Sequence, residues 1–391
     1  MYKRKKMRVL KFASLLALLF FTANTVGAEE KERQGNPLRY GIPSLTIAPD
    51  ARGGAMGDVG AATEPDIYSQ HWNPAKYAFA YSKAGVGFSF TPWLTKLVSD
   101  INQSYLSGYY KINDNLAIGS SLRYFSLGDV ILKESIDAQE LVVNPYEAAF
   151  DASIALKITE KFSGAVAFRG IYADLGAGQK DDSYTPAGAI AADIAGYYST
   201  YFTAGRSECM FGLGFNISNI GPKISYDGGM NNYFLPTNLR LGTSILFPLD
   251  DYNTLSFNID ANKYLVPTPP EDAKRDENGD LWSDKISPIA GIFKSFSDAP
   301  GGAKEEFQEI MFSIGAEYAY DNRFFVRGGY FHENEYKGNR KYFSLGAGFK
   351  LTAFQLDVSY LISTYPNNPL DQTLRFSLSF DMDGLKGLMR Q

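Results

Sequence analysis

Over the last third of the chain, apolar residues occupy every second position in five successive runs. In 341–351, Phe343, Leu345, Ala347, Phe349 and Leu351 alternate with Tyr342, Ser344, Gly346, Gly348 and Lys350. The run at 354–363 sets Phe354, Leu356, Val358, Tyr360 and Ile362 against Gln355, Asp357, Leu361 and two serines. The final run sets Leu374, Phe376, Leu378 and Phe380 against Thr373, Arg375, Ser377 and Ser379. Successive side chains of a strand point to opposite faces, so each run has one apolar face and one face of polar residues and glycine. A soluble sandwich shows the same alternation, with its apolar face turned to a core. Runs of ~10 residues instead match tilted membrane-crossing strands. A polar face carrying charge and glycine, with few bulky groups, suits a lumen. Arg at outward Phe376 is therefore expected to be costly, and Arg at inward Ser377 to cost little.

The same pattern predicts fourteen strands: 84–94, 101–111, 115–126, 147–157, 161–173, 189–201, 209–219, 236–247, 253–263, 308–320, 323–332, 341–351, 354–363 and 372–381. An apolar stretch at 286–297 departs from period two. Ile289, Ile292, Phe293 and Phe296 recur at helical spacing, Ser287 and Pro288 suit a helix start, and Asp298 to Gly302 stops it. It reads as a short helix in a long connection, 264–307. Connections then alternate between long (127–146, 174–188, 220–235, 264–307) and short (112–114, 158–160, 248–252, 321–322, 352–353). Bacterial outer-membrane barrels are built this way, with long loops outside, short turns in the periplasm and an even strand number. Both termini are expected on the periplasmic side.

Ahead of the strands, Met1–Ala28 has a basic start, an apolar stretch too short to span a bilayer, and small residues at 26–28, the pattern of a secretory signal peptide. The segment 29–83 opens with a polar tail. It continues with Gly-, Ala- and Pro-rich sequence that lacks strand periodicity and is too long for an ordinary linker. Small residues permit close packing, so this segment is expected to fold inside the barrel as a hatch. The organisation read is a signal peptide (1–28), a tail and hatch (29–83), an all-β, 14-stranded antiparallel transmembrane β-barrel (84–381) and a periplasmic tail (382–391).

Composition agrees. The 26 Tyr and 28 Phe suit the aromatic girdles of a barrel. A single cysteine, Cys209, excludes an internal disulfide framework. The net charge of −5 leaves no nucleic-acid footprint. Only His71 and His332 are available for a catalytic triad, and no nucleophile motif accompanies them. The acidic stretch 271–280 lacks EF-hand spacing and reads as a charged loop, with a bound calcium as the weaker alternative. Arg123, Arg169, Arg240, Arg327, Arg375, Asp151, Asp260, Glu317 and Asp357 are expected to share the lumen, where opposite charges lock a barrel shut. No enzyme activity, cofactor or metal is expected.

Four short stretches carry a resemblance. Pro49 to Asp58, which contains Arg52, Gly53, Gly54, Met56 and Gly57, together with Asn73, Pro74 and Ala75, resembles the hatch signature of FadL-type outer-membrane proteins. Leu235 to Gly242 and Ser295 to Gly302 are similar to stretches of the PorV (LptO) family, the FadL-like subunit of the type IX secretion system of Bacteroidetes. The resemblance runs from about 40 to 381. It implies a FadL-like barrel in the outer membrane that shuttles cargo without being an enzyme. The partners implied are a large translocon barrel, cargo with a C-terminal signal domain, and a cell-surface sortase and attachment complex that joins cargo to lipopolysaccharide, within outer-membrane lipid. On this reading Ile289, Ile292, Phe293 and Phe296 are the candidate partner-binding residues. The competing expectation is a FadL-type transporter of fatty acids or other hydrophobic small molecules, which needs an apolar pocket within the barrel.

Overall fold

The computed structural model describes residues 35–98, 100–132, 141–176, 185–270, 282–365 and 368–384. The signal peptide and the acidic stretch 271–280 lie outside the described residues. The first half of the wall is β1 (Ala84–Pro92), β2 (Asn102–Lys111), β3 (Leu116–Ser126), β6 (Tyr146–Lys157), β7 (Phe162–Asp174), β8 (Ala187–Ala204) and β9 (Ser207–Ile220), with a small hairpin of β4 (Val130–Leu132) and β5 (Leu141–Val143) between β3 and β6. The second half is β10 (Asn238–Pro248), β11 (Asn253–Tyr264), β12 (Ile310–Tyr320), β13 (Phe324–His332), β14 (Lys341–Lys350), β15 (Phe354–Ser363) and β16 (Leu374–Asp381). Each wall strand pairs antiparallel with its neighbours, and β1 pairs with β16 to close the barrel. All fourteen expected strands are present and within three residues of their expected limits.

Closure without an edge satisfies every ladder of the wall, which a bilayer demands because it supplies no water to the backbone. The faces sort as the alternation requires. On β14, Phe343 and Leu345 are 53% and 55% exposed on the outside, whereas Ser344 is fully buried within. On β16, Phe376 faces out and Ser377 is 1% exposed. The barrel thus has a turn mouth, where β1 begins and β16 ends, and a loop mouth with the long connections.

Three local features differ from the sequence reading. The hairpin β4–β5 rises from the connection expected to be plain loop. A helix at Ala303–Gln308 occupies residues that lead into β12, because Gly302 at φ 66 turns the chain and Glu305 and Glu306 fall in its first turn. The third concerns the ends of the described residues. Gly35 and Asn36 lie among the loops, where Asn36 N donates to Tyr336 O at 2.8 Å, whereas β16 ends at the turn mouth. The two ends of the described chain therefore lie at opposite mouths; the termini expected on the periplasmic side lie outside the described residues. The even strand number places only the two ends of the wall together, and the segment before β1 threads the lumen.

Candidate functional site

Two short helices shape that threading segment: α1 (Ala51–Ala55) and α2 (Ser69–Trp72), the latter followed by a 3-10 turn at Pro74–Phe79. Asp50 caps α1 by accepting from Gly53 N at 2.8 Å and takes the Trp72 indole N–H at 2.6 Å with its other oxygen. Asn73 caps the 3-10 turn through Ala75 N (3.1 Å), with Pro74 in the first turn. The Asn73 amide also donates to Ala61 O (2.8 Å) and to Gly196 O of β8 (3.0 Å).

The glycines permit contact that side chains would forbid. Gly57 has φ +72 and its N–H meets Ser344 Oγ at 2.8 Å; a Cβ there would stand 2.6 Å from Tyr330 O. At Gly54 a Cβ would stand 2.7 Å from the Arg375 guanidinium, and at Gly53 2.5 Å from the Trp72 ring. Met56 is 1% exposed, seated over Gly315 and Gly329 of the wall.

Ion pairs and charged hydrogen bonds tie this segment to the wall. Arg52 bridges Asp66 and Glu317, each at 2.9 Å, and Arg327 joins Glu317 to Asp357 (2.6 Å). Across the lumen Arg169 holds Asp151 and Asp193, the latter at 3.0 Å. Asp260 accepts from Gly60 N and Ala61 N (2.8 and 3.0 Å), with Arg240 lying 3.6 Å away and over the Trp72 ring. Arg123 donates to Ser44 O and Ile47 O and lies 3.0 Å from His71 Nδ1, which makes that nitrogen an acceptor. All nine charged residues expected in the lumen are there. Arg375 is 1% exposed, 3.9 Å from Asp58. Sequence alone could not identify Asp50, Asp193 and Lys76 as members of this interior, because no strand period marks a hatch residue and Asp193 lies beside a register shift in β8.

One small space within the barrel, about 40 Å³, is lined by His71, Asn219, Asn238, Arg240 and Asn262; another, about 210 Å³, lies among the loops beside Tyr40, Glu309 and Arg340, and a groove of about 750 Å³ is lined by wall residues such as Leu122, Phe150, Tyr172 and Ile190. A pocket for a drug-sized molecule needs roughly 300 Å³ or more and a mainly apolar lining. A vestibule of about 570 Å³ opens at the turn mouth, but Arg52, Glu64, Asp66, Glu317, Lys350 and Asp381 line it.

At the loop mouth, the connection between β11 and β12 carries two helices, α3 (Pro288–Lys294) and α4 (Ala303–Gln308). Ser287 Oγ caps α3 by accepting from Ala290 N at 3.3 Å. Gly291 lies against Phe234 and Pro267, so α3 rests on the cap by its smallest residue. Ile289, Phe293 and Phe296 are 58%, 72% and 50% exposed, and Ile292 is half-buried. The stripe is thus turned away from the barrel rim. Beneath it, α4 is fixed by buried ion pairs. Lys337 reaches Glu305 (2.6 Å) and Glu309 (2.9 Å), while Lys263 reaches Glu306 (3.1 Å) and Glu309. Burial alone would raise the Glu305 carboxyl, but hydrogen bonds from Lys337 and Gly301 hold it below its ordinary value.

Among the described residues, no cluster of His, Cys, Asp and Glu has the arrangement of a metal site, and no helix is long and apolar enough to cross a membrane. A closed, fourteen-stranded wall with an apolar outside and an ion-paired inside defines an outer-membrane β-barrel. The model of one family, described as type IX secretion system protein PorV, matches residues 29–271. The chain belongs to the PorV family, and is thereby an outer-membrane component of type IX secretion. No curated protein matches it. Among solved structures it is similar to the Pseudomonas putida toluene transporter TodX (10% identity, 89% of this chain and 99% of that chain, TM-score 0.47). It is also similar to the Ralstonia pickettii toluene transporter TbuX (13%, 85% and 96%, TM-score 0.41). A Pseudomonas aeruginosa FadL homologue matches at 10% identity over 88% of this chain and 99% of that chain, with a TM-score of 0.42.

Proposed function

We propose that this barrel works on its outside as a docking and shuttle component, not as a conduit. It receives cargo bearing a C-terminal signal domain at the translocon barrel and passes it to the surface attachment and sortase complex. In this reading the loop mouth faces the cell surface and the turn mouth the periplasm, as long loops and short turns do in such barrels. The observation that carries it is α3: an apolar stripe in a loop anchored by buried ion pairs, turned away from its own barrel. An amphipathic helix must bury its stripe, and here the covering surface belongs to a partner. Phe293 and Phe296 are the anchors, since buried aromatics dominate interface energetics. The competing transporter reading needs an apolar route through a lumen that ion pairs and the hatch fill. The double variant Phe293→Ser, Phe296→Ser tests the proposal. Loss of one such anchor costs on the order of 2 kcal/mol of binding, or roughly thirtyfold in affinity. The variant barrel is expected to keep its heat-dependent gel mobility, lose the co-purifying translocon, and retain cargo inside the cell. Wild-type partner recovery and secretion from an intact variant barrel would refute it.

A further inference from the structure

The segment before β1 is tied at both mouths. At the loop mouth, Asn36 receives the strongest hold: its N–H donates to Tyr336 O (2.8 Å) and its amide to Pro269 O (2.9 Å) and Glu305 Oε1 (3.2 Å). Glu305 is the carboxylate that also accepts from Lys337, so the segment joins the ionic lock of the loop cap. Gly41 N donates to Phe234 O and Ile42 N to the Tyr226 hydroxyl, each at 2.9 Å. Leu38 and Tyr40 pack on the apolar cluster of Phe234, Tyr264, Val266, Met311, Phe331, Tyr342 and Leu361. Three separate loops, 221–237, 265–309 and 333–340, thus grip eight residues. Ile42 sits at φ 52, a region β-branched residues avoid, where the chain bends from the loops into the lumen. Such a conformation persists only where the surroundings over-determine it.

At the turn mouth the other end is continuous with β1 and fastened again. Ser82 Oγ donates to Asp381 Oδ1 (2.7 Å), Lys111 N to Lys83 O (2.8 Å), and Lys111 Nζ to Ala80 O (3.0 Å). A plug hinged at one end swings open by breaking its contacts with the wall. One tied at both ends must also give up an anchorage.

The geometry points to a fixed strap: residues 35–83 run the length of the lumen from cell surface to periplasm, present their N-terminal end at the surface, and stay in place while the barrel works. Surface presentation rests on the orientation proposed above; the fixed strap does not. The test uses single cysteines in a Cys209→Ser background, since Cys209 is buried in the wall. Gly35→Cys is compared with Lys294→Cys on α3 and Asp251→Cys in a short turn, all exposed. A membrane-impermeant maleimide on intact cells is expected to label Gly35→Cys and Lys294→Cys, and to reach Asp251→Cys only after permeabilisation. Gly35→Cys behaving like Asp251→Cys while Lys294→Cys labels would overturn the strap. Gly35→Cys and Lys294→Cys both staying silent while Asp251→Cys labels would overturn surface presentation through the orientation.

A staple tests whether the strap moves. A Cβ on Gly35 would stand 3.9 Å from Tyr336 Cα, within reach of a disulfide from Tyr336→Cys. With the double-cysteine protein oxidised, cargo secretion is expected to equal that of the reduced protein. A loss of half or more, restored by reductant, would show that the strap must leave and would overturn the proposal.

Discussion

The outer wall and helix α3 expose the same kinds of side chain to similar degrees. Phe343 and Phe376 of the wall are 53% and 41% exposed; Phe293 and Phe296 of the loop are 72% and 50% exposed. The wall positions belong to a closed ring of strands, and lipid covers them without any partner. The loop positions belong to a connection held by buried pairs of Lys263 and Lys337 with glutamates. Similar exposure therefore means satisfaction in one place and, on the proposed function, demand in the other. Which solvent meets a residue is decided by the topology around it, not by the residue.

The largest effect expected from breaking this contrast is Phe376→Arg, at about 2–4 kcal/mol if the site lies mid-membrane. A lowered temperature for loss of the fast-migrating gel form would measure it. Ser377→Arg comes next. The sequence led us to expect little cost there, but Ser377 Oγ accepts from Ala51 N at 2.8 Å and touches Ser89 Oγ, so the strap leaves no room. Overpacking of that kind costs roughly 1–3 kcal/mol, by the same gel measurement. Phe293→Arg is the loop counterpart of the wall substitution. It is expected to change barrel stability by about 0.5 kcal/mol at most, while abolishing translocon co-purification. A destabilisation equal to that of Phe376→Arg would place α3 in the membrane and remove the contrast.

The smallest effect is one of pH. Burial pushes the Asp298 carboxyl, just beyond α3, up to about 6. The folded loop thus favours the protonated acid, so its contribution is fully present below about pH 4 and is lost as pH rises through 6. Amide protection across 286–302, corrected for the intrinsic pH dependence of exchange, is expected to be modestly lower at pH 7.5 than at pH 5, and Asp298→Asn to remove the difference. Lower protection at pH 5 than at pH 7.5 would reverse the sign and discard the assignment.

How much of this was legible follows from what each residue faces. The wall was readable because lipid and lumen impose a two-residue period on its strands, which β8 breaks at the register shift beside Asp193. Helix α3 was readable because Ser287, Pro288 and the stripe are local. The hatch interior was not, because its contacts span the chain: Arg52 meets Glu317 and Ala51 meets Ser377, 265 and 326 residues away. Helix α4 escaped because its ion pairs join it to Lys263 and Lys337, neither in its own loop. The path of residues 35–42 escaped for a different reason. A short irregular segment held by backbone groups of three loops leaves no pattern in its side chains.

The distances along the chain that hid the hatch also set an order of events. Residues 43–79 emerge early in synthesis, but Tyr68 Oη donates to Leu378 O and Ala51 N donates to Ser377, both on β16. Contacts between residues so far apart form late and leave apolar surface bare in the meantime. A segment made before any strand of the wall is therefore among the last to find its place, and the wall has to close around it. During transit the periplasm must keep that segment from pairing elsewhere until the final strand arrives.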